Sequence, residues 1–199
     1  MNKRTYNSEA RDTQALKTRK QILKSAKKLF QAQGFDQVTI SKIAESAEVA
    51  TPTVYAIFKS KRGLLQALID DALPQEEFIA LVDHSMTEKS PEKRLAITAK
   101  LSRQIYDAEK ELMDILRGAS VVSPEFKELE QEREKRRYDR QKDYVKSLPI
   151  NKSLTIQQAR DIVWTLTGRD LYRMFVIERG WTSDAYEKWL TNTLIKSLL

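Results

Sequence analysis

Thr39–Lys61, TISKIAESAEVATPTVYAIFKSK, reads as two short helices joined by a tight turn and followed by closely spaced cations. Thr39 stands where its hydroxyl can cap free backbone N–H groups, and Ile40, Ile43, Ala44 and Ala47 recur at helical spacing on one face. Ser41, Lys42 and Glu45 fall on the other face. A second helix is expected to start at Thr51 or Pro52: threonine is a capping residue type, and proline in the first helical turn loses no hydrogen bond and already has a suitable φ. Only Glu48, Val49 and Ala50 lie between the helices, a turn length that sets two helices at a steep angle, with Val49 filling the angle. In the second helix Val54 and Phe58 share the inward face. Thr51, Pro52, Thr53 and Ala56 are left pointing out, and their small size lets a backbone approach closely.

This pattern predicts a helix-turn-helix whose second helix enters the major groove of DNA by its N-terminal end. There, hydroxyls can bond base edges and small apolar groups can meet thymine methyls. Tyr55, Lys59 and Lys61 are then placed for phosphates. The plainer alternative is a helical hairpin in which the threonines are only caps.

The charge of the chain points the same way. Residues 1–62 hold 13 Lys and Arg against 5 Asp and Glu, a balance of +8, whereas the remaining residues balance to −1. The whole basic excess therefore sits on the segment with the hairpin, as an electrostatic footprint for a polyanion would. With no cysteine, disulfides and thiolate chemistry are excluded, and the single histidine, His84, has no partners for a metal site. No apolar run is long enough to span a membrane and no export signal is recognisable, so a cytoplasmic protein is expected, with neither cofactor nor metal.

Outward from the hairpin, Ile22, Leu23, Ala26, Leu29 and Phe30 form one stripe of a helix from about Thr13 to Gln33, ended by Gly34, after which Phe35 folds back. Ser60 caps a fourth helix, Lys61 to about Leu73, and Pro74 marks a break. Helical patterns resume at Gln75–His84, from Pro91 to Glu109 or beyond, at Pro124–Lys146, Thr155–Glu178 and Ser183–Leu199. No run alternates as a strand would, and no phosphate-binding glycine loop or internal repeat is present. The chain reads as all-α, with a polar flexible tail at 1–12, a helix-turn-helix DNA-binding domain at 13–73 and a larger helical ligand-binding and dimerisation domain at 74–199. Lys3, Arg4 and Arg11 belong to the tail, where a minor-groove contact is the alternative to disorder. The Pro124–Lys146 helix carries Arg133, Lys135, Arg136 and Arg137, but Glu130, Glu132, Glu134 and Asp139 interleave with them, so it reads as a solvated helix rather than a second DNA site.

The stretch TRKQILKSAKKLFQAQGFDQVTISKIAESAEVATPTVYAIFKSKRGLL, Thr18–Leu65, resembles the TetR family of bacterial transcriptional regulators, with Gly34-Phe35, Thr39-Ile40, Ile43-Ala44, Thr53-Val54-Tyr55, Phe58 and Lys61 with Leu64-Leu65 in family-like spacing. RGWTSDAYEKWLTNTLIKSLL resembles, more weakly, the terminal helix of one kind of TetR C-terminal domain. The resemblance implies base contacts from Thr51, Pro52 and Thr53, a groove contact from Ser41, and phosphate positioning by Thr39, Tyr55 and Lys61. Glu48 departs from the family pattern, which frequently has glycine there, and has to tolerate an unfavourable φ or alter the turn.

Members of the family are typically homodimeric repressors that release operator DNA when a small molecule binds the larger domain. The resemblance thus implies a near-palindromic double-stranded operator, a homodimer and a small-molecule effector. Leu166, Leu171 and Phe175, with Tyr186, Trp189, Leu190 and Leu194, are the candidate dimer seam. Tyr106, Met113, Phe126, Tyr138, Trp164 and Tyr172 are candidate ligand contacts, although aromatic residues at such spacings are more often core. Arg169 and Asp170 can orient a polar ligand, pair within the dimer or face water. Two rivals stand beside this reading: an all-α interaction protein that presents its basic segment to an acidic partner, and an enzyme with an unrecognised C-terminal site.

Overall fold

The computed structural model describes residues 8–72 and 75–199, and every regular element among them is helical. The first helices are α1 (Ser8–Gln37), α2 (Ile40–Ser46), α3 (Thr51–Phe58), α4 (Lys61–Ala72), α5 (Gln75–Thr87) and α6 (Pro91–Glu109). After a 3-10 turn at Lys110–Leu112 follow α7 (Met113–Val122), α8 (Pro124–Lys146), α9 (Ile156–Leu166), α10 (Arg169–Tyr172), a π-helical turn at Arg173–Glu178, and α11 (Ser183–Leu198). Lys3, Arg4 and Pro74 lie outside the described residues.

Two compact units divide the chain. The first comprises the chain through Asp71 together with Leu112–Lys127; the second comprises Ala72–Glu111 and Glu128–Leu199. Relative to a single cut near residue 74, the difference is that α7 packs on α1 within the first unit. Leu112, just before it, and its own Ile115, Leu116 and Ala119 recur at helical spacing and are all buried, so the stretch has one side to hide.

In the first unit, Ile22, Ala26 and Phe30 of α1 are buried with Ile43 and Ala44 of α2, Val54 of α3 and Leu64 and Leu65 of α4. Helix α1 begins at Ser8, before the expected Thr13, because Ala10, Arg11, Gln14 and Ala15 are good helix formers and need no core to extend it. It breaks at Gly34, whose φ of 79° is the left-handed region that a side chain disfavours. Phe35 then turns inward, with its ring centroid 5.3 Å from that of Phe30 and 6.1 Å from that of Phe126. Gly63, in the first turn of α4, answers a different need: a Cβ there would stand 2.1 Å from the Phe58 carbonyl oxygen.

In the second unit, α11 packs on α6 and α9, and Leu95, Tyr106, Val163, Tyr172, Tyr186, Leu190 and Leu194 fill the interior. The single helix expected over Thr155–Glu178 is divided. Thr155 caps α9 in a capping box with Gln158, but α9 ends at Leu166 and Gly168 is extended, with φ −82° and ψ 152°. The Gly168 N–H turns to Thr165 O at 3.1 Å, and Arg137 donates at 2.8 Å to Trp164 O, the carbonyl that Gly168 would have used in a continuing helix. Helix α5 runs one turn further than expected, to Thr87, and exposed His84 lies within its last turn.

Candidate nucleic-acid interface

Thr39 caps α2 by accepting a hydrogen bond from Lys42 N at 3.2 Å. At the other end of α2, the Glu48 N–H donates to Glu45 O at 3.0 Å and the Val49 N–H to Ala44 O at 3.0 Å, the paired bonds of a Schellman motif. That motif needs a left-handed residue at Glu48, and its φ is 52°. The turn is therefore made in spite of the non-glycine residue, whose backbone is strained by an amount of order 1 kcal/mol. Two bonds from α1 hold the turn from behind: Gln21 Nε2 donates to Ala47 O at 2.8 Å, and Ser25 Oγ to Ser46 O at 3.1 Å.

One detail differs from expectation. Ala50, not Thr51, is the N-cap of α3 and gives no side-chain cap; Thr51 and Pro52 are the first two helical residues. Pro52 lacks an N–H, so one of the donors that a cap would satisfy does not exist. The consequence is chemical: the hydroxyls of Thr51 and Thr53 engage no partner among the described residues. Pro52 and Ala56 are exposed, Tyr55 is 50% exposed, and Val54 and Phe58 are buried beneath them. Exposed Ser41 lies one helix earlier.

The nearby cations are less free. Lys42 Nζ donates to Gln33 Oε1 at 3.3 Å and Gln37 O at 3.2 Å, and Lys59 Nζ donates to Ala56 O at 3.0 Å. Lys61 Nζ donates to Asp36 O at 3.2 Å and sits 4.3 Å from the Phe35 ring centroid. Burial lowers the Lys61 pKa, and the Asp36 carboxylate partly opposes that shift.

The sequence model of the bacterial regulatory proteins of the tetR family matches residues 22–68, the helices just described. Residues 22–68 form a TetR-type DNA-binding segment. The chain's similarity to the HTH-type transcriptional regulator TtgR of Pseudomonas putida is 32% identity over 94 residues, 47% of this chain and 43% of TtgR; this relative is thus matched over less than half of its length. Among solved structures, NalD, the secondary repressor of the MexAB-OprM multidrug efflux pump in Pseudomonas aeruginosa, superposes with a TM-score of 0.72 at 16% identity, covering 94% of this chain and 98% of NalD. FadR from Bacillus subtilis, a transcriptional regulator in complex with stearoyl-CoA, gives 0.67 at 18% identity, covering 87% of this chain and 96% of FadR. These two structural likenesses speak to the fold. The relatives named here are transcriptional regulators, and none lends support to the catalytic rival.

The six candidate ligand contacts are divided between the two units. Met113 and Phe126 are buried in the first unit, and Tyr106, Tyr138, Trp164 and Tyr172 belong to the second. Tyr106 is core, and its hydroxyl donates to Thr167 O at 2.9 Å. Tyr172 is also buried and bonds Asp107, which accepts from Ser183 Oγ at 2.6 Å as well. Tyr138 and Trp164 lie nearer the surface, edge to face with ring centroids 6.2 Å apart, and the Trp164 indole nitrogen is buried with no hydrogen-bond partner among the described residues. Tyr186, Leu190 and Leu194 are fully buried within one chain, so they serve its own core and are not free to form the expected seam. Leu166, Leu171, Phe175 and Trp189 stay partly exposed, and the Phe175 ring lies 4.4 Å from Trp189 and 4.7 Å from Trp181.

A site that sequence reading missed is a charged cluster inside the second unit. Arg169 donates to Glu130 at 2.6 Å and to Glu109 at 3.0 Å, and Arg133 donates to the same Glu109 at 2.8 Å. Glu109 is only 3% exposed. Burial works against the charge of Arg169, but Glu109 and Glu130 outweigh it and raise its pKa. Of the alternatives left open for Arg169 and Asp170, the first residue therefore pairs inside its own unit, while Asp170 faces water.

Proposed function

We propose that this protein is a cytoplasmic, homodimeric transcriptional repressor that reads a near-palindromic operator through α3 and releases it when a small molecule binds the second unit. The observation that carries this reading is the start of α3. Two threonine hydroxyls without intrachain partners and an exposed proline stand at the N-terminal end of a helix fixed by the Schellman turn, inside the segment that matches the family. Thr51, Pro52 and Thr53 would meet base edges and Ser41 would approach the groove. Thr39, Tyr55, Lys59 and Lys61 would serve the phosphates, the two lysines by exchanging carbonyl partners for phosphate oxygens. In a two-fold dimer the recognition helices would stand roughly 34–36 Å apart.

Partly exposed Phe175 and Trp189, with Leu166 and Leu171, are the surface proposed for the partner copy. The complex of FadR with stearoyl-CoA supports an effector in a related fold, but fold does not choose its chemistry. Here Trp164 and Tyr138 are the proposed contacts. Whatever the effector, it can act only through unequal affinity for the DNA-bound and released states.

The test is selection of bound sequences from random duplex DNA at fixed salt, with wild-type protein and with Thr51→Ala/Thr53→Ala. A palindromic motif that the double change relaxes is expected. Enrichment of no motif would sink the operator reading and favour a basic module for another acidic partner.

A further inference from the structure

From Thr13 to Phe35 the chain carries six cations and no acidic residue. Four of them, Lys17, Lys20, Lys24 and Lys28, are exposed and engage no partner among the described residues. Successive residues of an α-helix are turned by about 100°, so these four fall within an arc of about 80° and run for about 16 Å along the axis. The arc lies opposite Ile22, Ala26 and Phe30, which are buried. Along its edge is Gln21, within about 60° of Lys17, Lys24 and Lys28 on the same wheel. Gln21 is the residue that bonds Ala47 O at the end of α2, so the lysine stripe borders the turn that leads into α3.

The position matters because Lys42, Lys59 and Lys61 are each bonded to acceptors of their own chain. Cations that must first leave a partner give less net attraction than cations bound only to water. We propose that the α1 stripe is a second DNA contact, laid along phosphates that flank the segment read by α3. The proposal rests on the reading of the protein as a DNA-binding regulator and adds a distinct surface to it. One strand of a duplex presents a phosphate about every 3.4 Å of axis, so a stripe of this length spans about five. Lysines present mobile point charges without a base-reading geometry, so the surface supplies affinity and leaves sequence choice to α3.

The experiment measures binding of the full chain to a selected duplex and to a random duplex of equal length, as log affinity against log salt. Each lysine that neutralises a phosphate adds about 0.9 to the slope, so K17Q/K20Q/K24Q/K28Q makes it shallower by about 3 to 4 per bound chain, or about 7 for a bound dimer, on both duplexes. Between about 50 and 200 mM salt, the wild-type advantage over this variant therefore shrinks about a hundredfold per bound chain, or about ten-thousandfold for a bound dimer. The preference for the selected duplex stays unchanged, and K17R/K20R/K24R/K28R keeps the wild-type slope. A selected motif with a slope that the glutamine variant leaves unaltered overturns the stripe alone. Wild-type protein that binds no duplex overturns the regulator reading and the stripe with it.

Discussion

Helices α1 and α8 look alike in composition, both crowded with lysine or arginine, yet they use that charge in opposite ways. In α8 two arginines are neutralised inside the fold, Arg133 by Glu109 and Glu130 and Arg137 by Glu134 at 2.6 Å, while Arg136 meets Glu132 only at the surface and Arg140 is exposed. Arg137 also holds the carbonyl that ends α9. In α1 the four lysines opposite the core have no acidic neighbour at helical spacing and no partner among the described residues. The difference teaches that cation density is a poor guide to a polyanion surface. The spacing of acids between the cations, at three and four residues, decides whether charge is spent on structure or offered to a partner.

The contrast can be broken most directly at Glu109. If the α8 charges are structural, Glu109→Ala leaves Arg133 and Arg169 half-buried without their shared carboxylate, and the loss of stability in urea should be about 3–5 kcal/mol. A loss below about 1 kcal/mol would mean that water already screens the cluster.

Alkaline titration sharpens the contrast further. Burial pushes the Tyr106 hydroxyl up to about 12, against smaller opposing effects of Arg137 and Arg169. The folded chain then keeps a proton that the unfolded chain loses near pH 10. This contribution, about 3 kcal/mol from a shift of about two units, is full below pH 10 and is lost as pH rises through 12. Burial also raises Tyr172 and Tyr186, so Tyr106→Phe should remove only part of the alkaline fall in unfolding free energy. A pH profile unchanged by that substitution would show that the Tyr106 site admits water.

The smallest effect is expected on the α1 side. Replacing Lys17, Lys20, Lys24 and Lys28 by glutamine should move the unfolding free energy by no more than about 0.5 kcal/mol, since exposed side chains without partners hold nothing together. A larger loss would place these lysines among the structural charges and erase the contrast with α8.

Much of the first unit was legible because its signals are local. Thr39 caps the helix that its position announces, Ser60 Oγ accepts from Gly63 N at 3.0 Å, and the misfit at Glu48 appears as a left-handed backbone. The displaced cap at Ala50 was hidden because threonine and proline are equally at home one residue later. Helix α7 left a readable signal in the spacing of Leu112, Ile115, Leu116 and Ala119, but nothing in that spacing says which helix covers it. The Glu109 cluster left none, since Arg169 lies 60 residues from Glu109.

By itself, then, the sequence determined the helical class, the turn into α3, its outward residues and the placement of the basic excess. Each follows from backbone preferences or side-chain periodicity within a few residues. The tertiary structure decided which charges are consumed and which aromatic residues become core. Tyr186, Leu190 and Leu194 look like a seam in one dimension and are the interior in three, because an apolar face is satisfied by whichever surface reaches it, and here that surface belongs to the same chain.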